Sequence, residues 1–205
     1  MVRVLILDYG MGNIFSIKKK LSSLGIIPII SNSAEDISNA DKIILPGVGH
    51  FSKAMENLKK LNIIKALNEK VFEKKTPVLG ICLGMQLMAK ESEEGNLKGL
   101  GWFDASVKKF RVQDKLNFKV PQMGWNTITI NKKSVLMQNI PDQSEFYFIH
   151  SFYIKCNVEK DILNKTIYEK EFVSAIQKDN IFGVQYHPEK SHEIGNEIFK
   201  NFINF

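Results

Sequence analysis

Apolar residues along this chain follow two rhythms, one in each half. Val2 to Leu7 is apolar apart from Arg3, the pattern of a parallel strand covered on both faces. Ile14, Ile17, Leu21 and Leu24 then mark one stripe of a helix, and Gly25 stops it. Ile26 to Ile30 and Lys42 to Leu45 read as the next two strands. Phe51, Ala54, Met55 and Leu58 begin a helical stripe, and Ile64, Leu67 and Val71 carry a second. Val78 to Ile81, bounded by Thr76-Pro77, is a fourth buried strand, followed by helix-forming composition from Leu83 to Lys90. The order β-α-β-(short α)-β-α-β-α predicts a parallel sheet with helices on both faces.

From Gly99 the texture changes. Trp102 to Phe110, Phe118 to Val120, Asn126 to Ile130, Glu145 to Ile149 and Phe152 to Cys156 are short strand-like pieces separated by turns. Ile167 to Tyr168, Val173 to Gln177 and Ile181 to Gln185 continue the series. This is hairpin texture, and it predicts antiparallel strands and covering ribbons. Ile194, Ile198, Phe199 and Phe202 place a closing amphipathic helix over Glu193 to Phe202. The expected fold is α/β: a flavodoxin-like open mixed sheet, mostly parallel, with helices on both faces and antiparallel strands added by the C-terminal half. With no linker, repeat or low-complexity segment, residues 1–205 read as a single domain.

Composition narrows the class. No segment is long and apolar enough for a signal peptide or a membrane span, so a cytoplasmic chain without membrane attachment is expected. Two cysteines, Cys82 and Cys156, then read as reduced thiols. No Cys/His cluster has metal-ligand spacing, so no metal and no cofactor are expected. The net charge of +6 raises nucleic acid as a partner. The lysines, however, come in short dispersed groups such as Lys18-Lys19-Lys20 and Lys132-Lys133, which read as solvated faces. No nucleic-acid partner is expected.

The chemistry concentrates where the fourth strand meets its helix. Gly80-x-Cys82-x-Gly84 has the spacing of a nucleophile elbow with cysteine in place of serine. Glycine tolerates the backbone crowding and positive φ of such a turn, which lifts the sulfur out at the strand's C-terminal end. It also aims the first helical amides at whatever the sulfur attacks. Most lone cysteines are small buried hydrophobes, so the assignment needs a base elsewhere. Two glycine-rich loops, Asp8 to Asn13 and Pro46 to His50, also end strands, and ligands of such sheets bind at carboxyl ends.

The base lies in Gly183-Val184-Gln185-Tyr186-His187-Pro188-Glu189. Proline pushes His187 into extended geometry, where residues two apart project to one side. Glu189 can then accept the second ring N–H of His187. Cys82, His187 and Glu189 together satisfy the logic of a nucleophile, base and orienter.

Five motifs then appear in order: Leu45-Pro46-Gly47-Val48-Gly49, Gly80-Ile81-Cys82-Leu83-Gly84-Met85-Gln86, Met123-Gly124-Trp125-Asn126, Phe148-Ile149-His150-Ser151 and Gly183 to Ser191. Together they resemble the triad-type glutamine amidotransferases over essentially the whole chain. Within that family the closest likeness is to the glutaminase branch that serves imidazole glycerol phosphate synthase in histidine biosynthesis. The resemblance implies that Cys82 attacks the side-chain amide of L-glutamine, with His187 as acid and base and Glu189 as its orienter. It implies oxyanion donors at Leu83 and in the Val48–Gly49 segment, and contacts to glutamine from Gly49, Gln86, His150 and Ser151.

The same resemblance implies a partner, a cyclase subunit of (β/α)8-barrel fold that receives the ammonia in a heterodimer. Asn13, Met123, Trp125 and Lys190 would face it; otherwise Trp125 would be core and Lys190 solvated. Gly99-Leu100-Gly101-Trp102 and Ser191-His192 are closer to a paralogous branch supplying a cyclase-like synthase of bacterial surface-sugar biosynthesis. An alternative of another class is a catalytically silent interaction module. The intact Cys82, His187 and Glu189 weigh against it.

Overall fold

The computed structural model describes residues 2–205. Its first half alternates β1 (Val4–Leu7), α1 (Ile14–Ser23), β2 (Ile29–Ser31), α2 (Ala34–Asn39), β3 (Lys42–Leu45), α3 (Phe51–Lys60), α4 (Ile64–Asn68), β4 (Val78–Ile81) and α5 (Leu83–Leu87). A π-helical segment, Glu69–Glu73, continues α4. Then follow β5 (Glu91–Ser92), β6 (Leu97–Lys98), β7 (Ala105–Lys109), β8 (Gln122–Thr127), β9 (Thr129–Ile130), β10 (Glu145–His150) and β11 (Phe152–Cys156). The chain closes with β12 (Ile162–Tyr168), β13 (Lys170–Lys178), β14 (Ile181–Val184) and α6 (His192–Asn204).

One 12-stranded sheet runs through both halves in the order β2-β1-β3-β4-β14-β13-β11-β7-β5-β6, with β12 and β9 branching from β13. The five strands from β2 to β14 are parallel, and β13, β11 and β7 follow antiparallel. The strand alternation explains the two cores. Leu5 and Leu7 pack under α2, α3 and α4 on one face, while Val4 and Ile6 meet α1 and α6 on the other. β8 and β10 form a separate ribbon whose buried side carries Phe146, Phe148 and His150.

Several elements depart from the expectation. Ile181–Val184 is not part of the antiparallel addition: it pairs parallel with β4, Val184 opposite Ile81. β2 begins at Ile29 rather than Ile26, because Ile27 points to solvent from the turn after α1. Phe118 to Val120 forms no strand, and the Phe118 ring instead packs edge-on against Tyr168, centroids 5.1 Å apart. The helix expected over Leu83 to Lys90 ends at Leu87. There the carbonyls of Leu87 and Met88 turn to the amides of Leu100, Trp102 and Phe103. With five residues α5 has little macrodipole, so electrostatic help at the elbow comes from individual amides.

Gly80 and Gly183 face each other across β4 and β14, and a side chain on either would strike α5 at Met85. Gly84 is tighter still: a Cβ there would sit 1.9 Å from the Leu45 carbonyl oxygen. The helix therefore lies directly on the sheet, and α5 cannot back away without carrying the elbow with it. Gly84→Ala should cost about 3 kcal/mol, the upper end for overpacking. Denaturant titration checks this, and an unchanged midpoint would show that α5 has room to move.

Candidate active site

Cys82 sits at the junction of β4 and α5 with φ 54° and ψ −109°, left-handed backbone at a residue with a Cβ. Such a conformation costs about 1–3 kcal/mol and persists only where neighbours enforce it. They do so here. The Cys82 amide donates to the Val184 carbonyl at 2.7 Å, and its carbonyl accepts from the Gln86 amide at 3.1 Å. The residue is 7% exposed. Its Sγ lies 3.8 Å from the Ile149 carbonyl oxygen and accepts from Gln185 Nε2 at 3.4 Å.

β14 delivers His187 to the same edge. The His187 amide donates to the Tyr147 carbonyl at 2.9 Å, and Ser191 Oγ donates to the His187 carbonyl while accepting from the Tyr147 amide. The ring is thereby fixed from its own backbone. Its Nδ1–H donates to Glu189 Oε1 at 2.7 Å, with both side chains 1% exposed. That assigns the tautomer and leaves Nε2 free, buried and without a hydrogen bond. Burial works against an imidazolium at this depth. The charge on the Cys82 sulfur, backed by Glu189, outweighs it and pushes the His187 pKa up to about 10. Once the Cys82 proton has passed to Nε2, the charge left on the sulfur and the Glu189 carboxylate hold it there.

The loop after β3 closes the other side. Gly47 packs against the Gly84 amide, and Gly49 adopts φ +111°, open only to glycine. The buried Tyr9 hydroxyl donates to the Pro46 carbonyl at 2.5 Å, and Met11 lies where a Gly49 side chain would go. Val48, between the two glycines, is 40% exposed.

Sequence-expected residues converge on a hollow of about 300 Å³, lined by Val48, Gly49, Cys82, Leu83, Gln86, His150 and Ser151. That is the small end of the ligand-pocket range. A larger hollow of about 400 Å³ lies at the amino ends of the strands, by Asp41, Lys70 and Pro77, and neither cysteine nor histidine lines it. His150 is encircled by Phe110, Phe148 and Phe172. Burial holds its pKa down at about 3, so the ring is neutral. Its Nδ1–H donates to the Phe152 carbonyl at 2.7 Å, leaving Nε2 a buried acceptor without a donor.

Two residues that the pattern did not single out also belong here. Glu94 lines the hollow and accepts from the Phe51 amide at 2.8 Å. Gln185 contacts the nucleophile and is fully buried. The residues expected to face a partner are accessible. Met123 and Trp125 project from β8 at 61% and 44% exposure, so Trp125 is not core. Trp125 stacks on His192, centroids 4.9 Å apart, and the Lys190 ammonium sits 5.4 Å over the Tyr147 ring. Asn13 caps α1, accepting from the Ser16 amide. Among the described residues no group of three or more acidic, histidine or cysteine side chains could hold a metal ion. Likewise, no helix among them is long and apolar enough to cross a membrane.

Comparison with known proteins places this geometry. A family described as glutamine amidotransferase class-I matches residues 5–205. The chain is 52% identical over 200 residues to imidazole glycerol phosphate synthase subunit HisH 2 of Methanococcus maripaludis, covering 98% of each. It is 45% identical over 201 residues to subunit HisH 1 of Campylobacter jejuni, again covering 98% of each. The crystal structure of a glutamine amidotransferase from Thermotoga maritima, 18% identical, superposes with a TM-score of 0.64 over 99% of this chain and 83% of that one. The fold is thus shared beyond the reach of sequence identity, and within it the chain belongs to the class-I glutamine amidotransferases.

Proposed function

We propose that this chain hydrolyses L-glutamine to L-glutamate and ammonia as the glutaminase subunit of an imidazole glycerol phosphate synthase. The observation that carries the reading is the buried Glu189–His187 pair aimed at a cysteine in a strained elbow. In the first step the Cys82 proton passes to His187 Nε2 and Sγ attacks the carboxamide carbon. The oxyanion gathers on the Leu83 amide and on a peptide of the Val48–Gly49 segment. His187 then protonates the departing ammonia, leaving a glutamyl thioester. Water, deprotonated by His187, attacks the thioester and releases glutamate and the free thiol. Glu189 holds the imidazole and stabilises its charge throughout.

Glutamine binding falls to Gly49, Gln86, His150 and Ser151, with Glu94 as a carboxylate suited to the α-ammonium. The neutral His150 Nε2 accepts and does not donate, so it suits an N–H of the ligand. The ammonia passes to a cyclase subunit of (β/α)8-barrel fold, which forms imidazole glycerol phosphate and an aminoimidazole-carboxamide ribonucleotide. Asn13, Met123, Trp125 and Lys190 face that subunit. Exposure of the two large apolar side chains on β8 supports this assignment, because aromatic and thioether groups anchor interfaces. The reading takes residues 1–205 as one domain acting in the cytoplasm; β14, from the far end of the chain, lies between β4 and β13.

A second reading keeps the glutaminase and changes the customer. Gly99-Leu100-Gly101-Trp102 and Ser191-His192, closer to the paralogous branch, support this reading. A cyclase-like enzyme of surface-sugar biosynthesis is that customer. Adding each purified synthase separately decides the matter, since the cognate one alone accelerates glutamine hydrolysis.

Cys82→Ala abolishes glutamine hydrolysis while leaving the circular dichroism spectrum native, because φ +54° is no harder for alanine. Cys156→Ala retains activity. The opposite pattern in folded proteins would remove Cys82 as nucleophile.

Glu189→Gln preserves shape but loses the charge opposite the imidazolium. Turnover should fall by about 10³–10⁴-fold, less than for loss of the nucleophile. Steady-state kinetics at saturating glutamine measures this, and native turnover would reduce Glu189 to a structural carboxylate.

Partner control follows from the loop. Glycines flank Val48, so a peptide rotation there is sterically cheap, and one oxyanion donor is worth roughly a hundred- to a thousandfold in turnover. Glutaminase turnover should rise by about that factor with the cognate cyclase and its ligand. Equal rates alone, with cyclase, and with cyclase plus ligand would dismiss the gate. Full activation surviving Trp125→Ala and Lys190→Ala would dismiss only this interface assignment.

A further inference from the structure

Cys82 Sγ has a second neighbour besides the triad. Gln185 is fully buried and its side-chain nitrogen lies 3.4 Å from the sulfur. An amide can present either its oxygen or its nitrogen, so the orientation must be established. Here the surroundings dictate it. The Phe152 carbonyl oxygen accepts only, and it lies 2.9 Å from the Gln86 side chain, which must therefore turn Nε2 toward it. The same Gln86 Nε2 lies 2.9 Å from Gln185 Oε1. Gln185 must give its oxygen to Gln86 and, in consequence, its nitrogen to the sulfur. Gln86 Nε2 thus donates in two directions, to the fixed Phe152 carbonyl and to Gln185 Oε1, and Gln185 Nε2 donates onward to the nucleophile.

We infer that Gln185 is a further catalytic residue, an N–H donor that stabilises the Cys82 thiolate and is held in its productive orientation by Gln86. A neutral thiol gains little from an N–H. An anionic sulfur gains the larger benefit of a charge-assisted bond, in a buried place where water cannot substitute. The proton balance is simple. Sγ–H passes its proton to His187 Nε2, and Gln185 keeps both of its own while one points at the sulfur. Because Gln86 also lines the glutamine hollow, the donor is tied to the residue that meets the substrate.

The inference rests on the glutaminase reading for its catalytic meaning, but its test needs no glutamine. Cys82 alkylation by iodoacetamide is followed against pH by mass spectrometry of the Cys82 peptide in a Cys156→Ala background. Other groups act on this sulfur: His187 with Glu189 behind it, Tyr9, His150, and Glu94 and Lys190 at the rim. They are the same in every variant compared. Gln185→Met, similar in shape but without the donor, should move the alkylation midpoint up by about one pH unit, a roughly tenfold loss of thiolate on the rising limb. Gln185→Glu, which keeps the oxygen that Gln86 addresses, should also move it up and carries the test if Gln185→Met does not fold. With glutamine, kcat should fall by a similar factor while KM changes little. A native midpoint in folded variants overturns the inference, including the case where melting temperature alone drops. A shifted midpoint in a chain that turns over no glutamine supports the inference and overturns the glutaminase reading.

Discussion

The hydrogen bond from the Cys82 amide to the Val184 carbonyl, 2.7 Å long, is the last rung between β4 and β14, and the site hangs from it. Parallel strands leave the sheet at the same edge. With Val184 opposite Ile81, the chain emerges with Cys82 and Gln185 side by side and His187 two residues on. A slip of one residue would turn every side chain of β14 to the other face and carry His187 away from the sulfur. Glycines at positions 80 and 183 make that register compatible with a helix pressed directly on the sheet.

The cost of holding Cys82 at φ +54° is spread over several loops. Gly84 wedges α5 against the Leu45 carbonyl, Gly47 packs on the Gly84 amide, and Tyr9 ties down Pro46. Each contact alone is a modest constraint; together they leave the sulfur few alternative positions. Val48 differs from these, its side chain 40% exposed between two glycines.

The sequence was most legible where burial leaves no choice. β3 and β4 lie where continuous apolar runs put them, because both faces of each strand are covered. The elbow was legible because only glycine fits beside it, and the His-Pro-Glu turn because proline fixes extended geometry. β2 was misplaced since an edge strand is held by few contacts, and Ile27 spends its apolar surface on solvent. The parallel pairing of β14 was not legible: a four-residue apolar strand carries no mark of direction, and its partner β4 lies far back in the first half of the chain. Glu94 left no local signal, because a loop carboxylate acquires its role only when Phe51 meets it. Gln185 could have been found, since the alternation that pairs His187 with Glu189 reaches back two residues to it.

All of this converges on one sulfur, so the decisive observation is covalent. Acid quenching of the chain during glutamine turnover, followed by peptide mass spectrometry, should trap a glutamyl adduct on the Cys82 peptide. None should appear on Cys156. Sustained hydrolysis with an unmodified Cys82, or an adduct on another residue, would contradict the account at its centre.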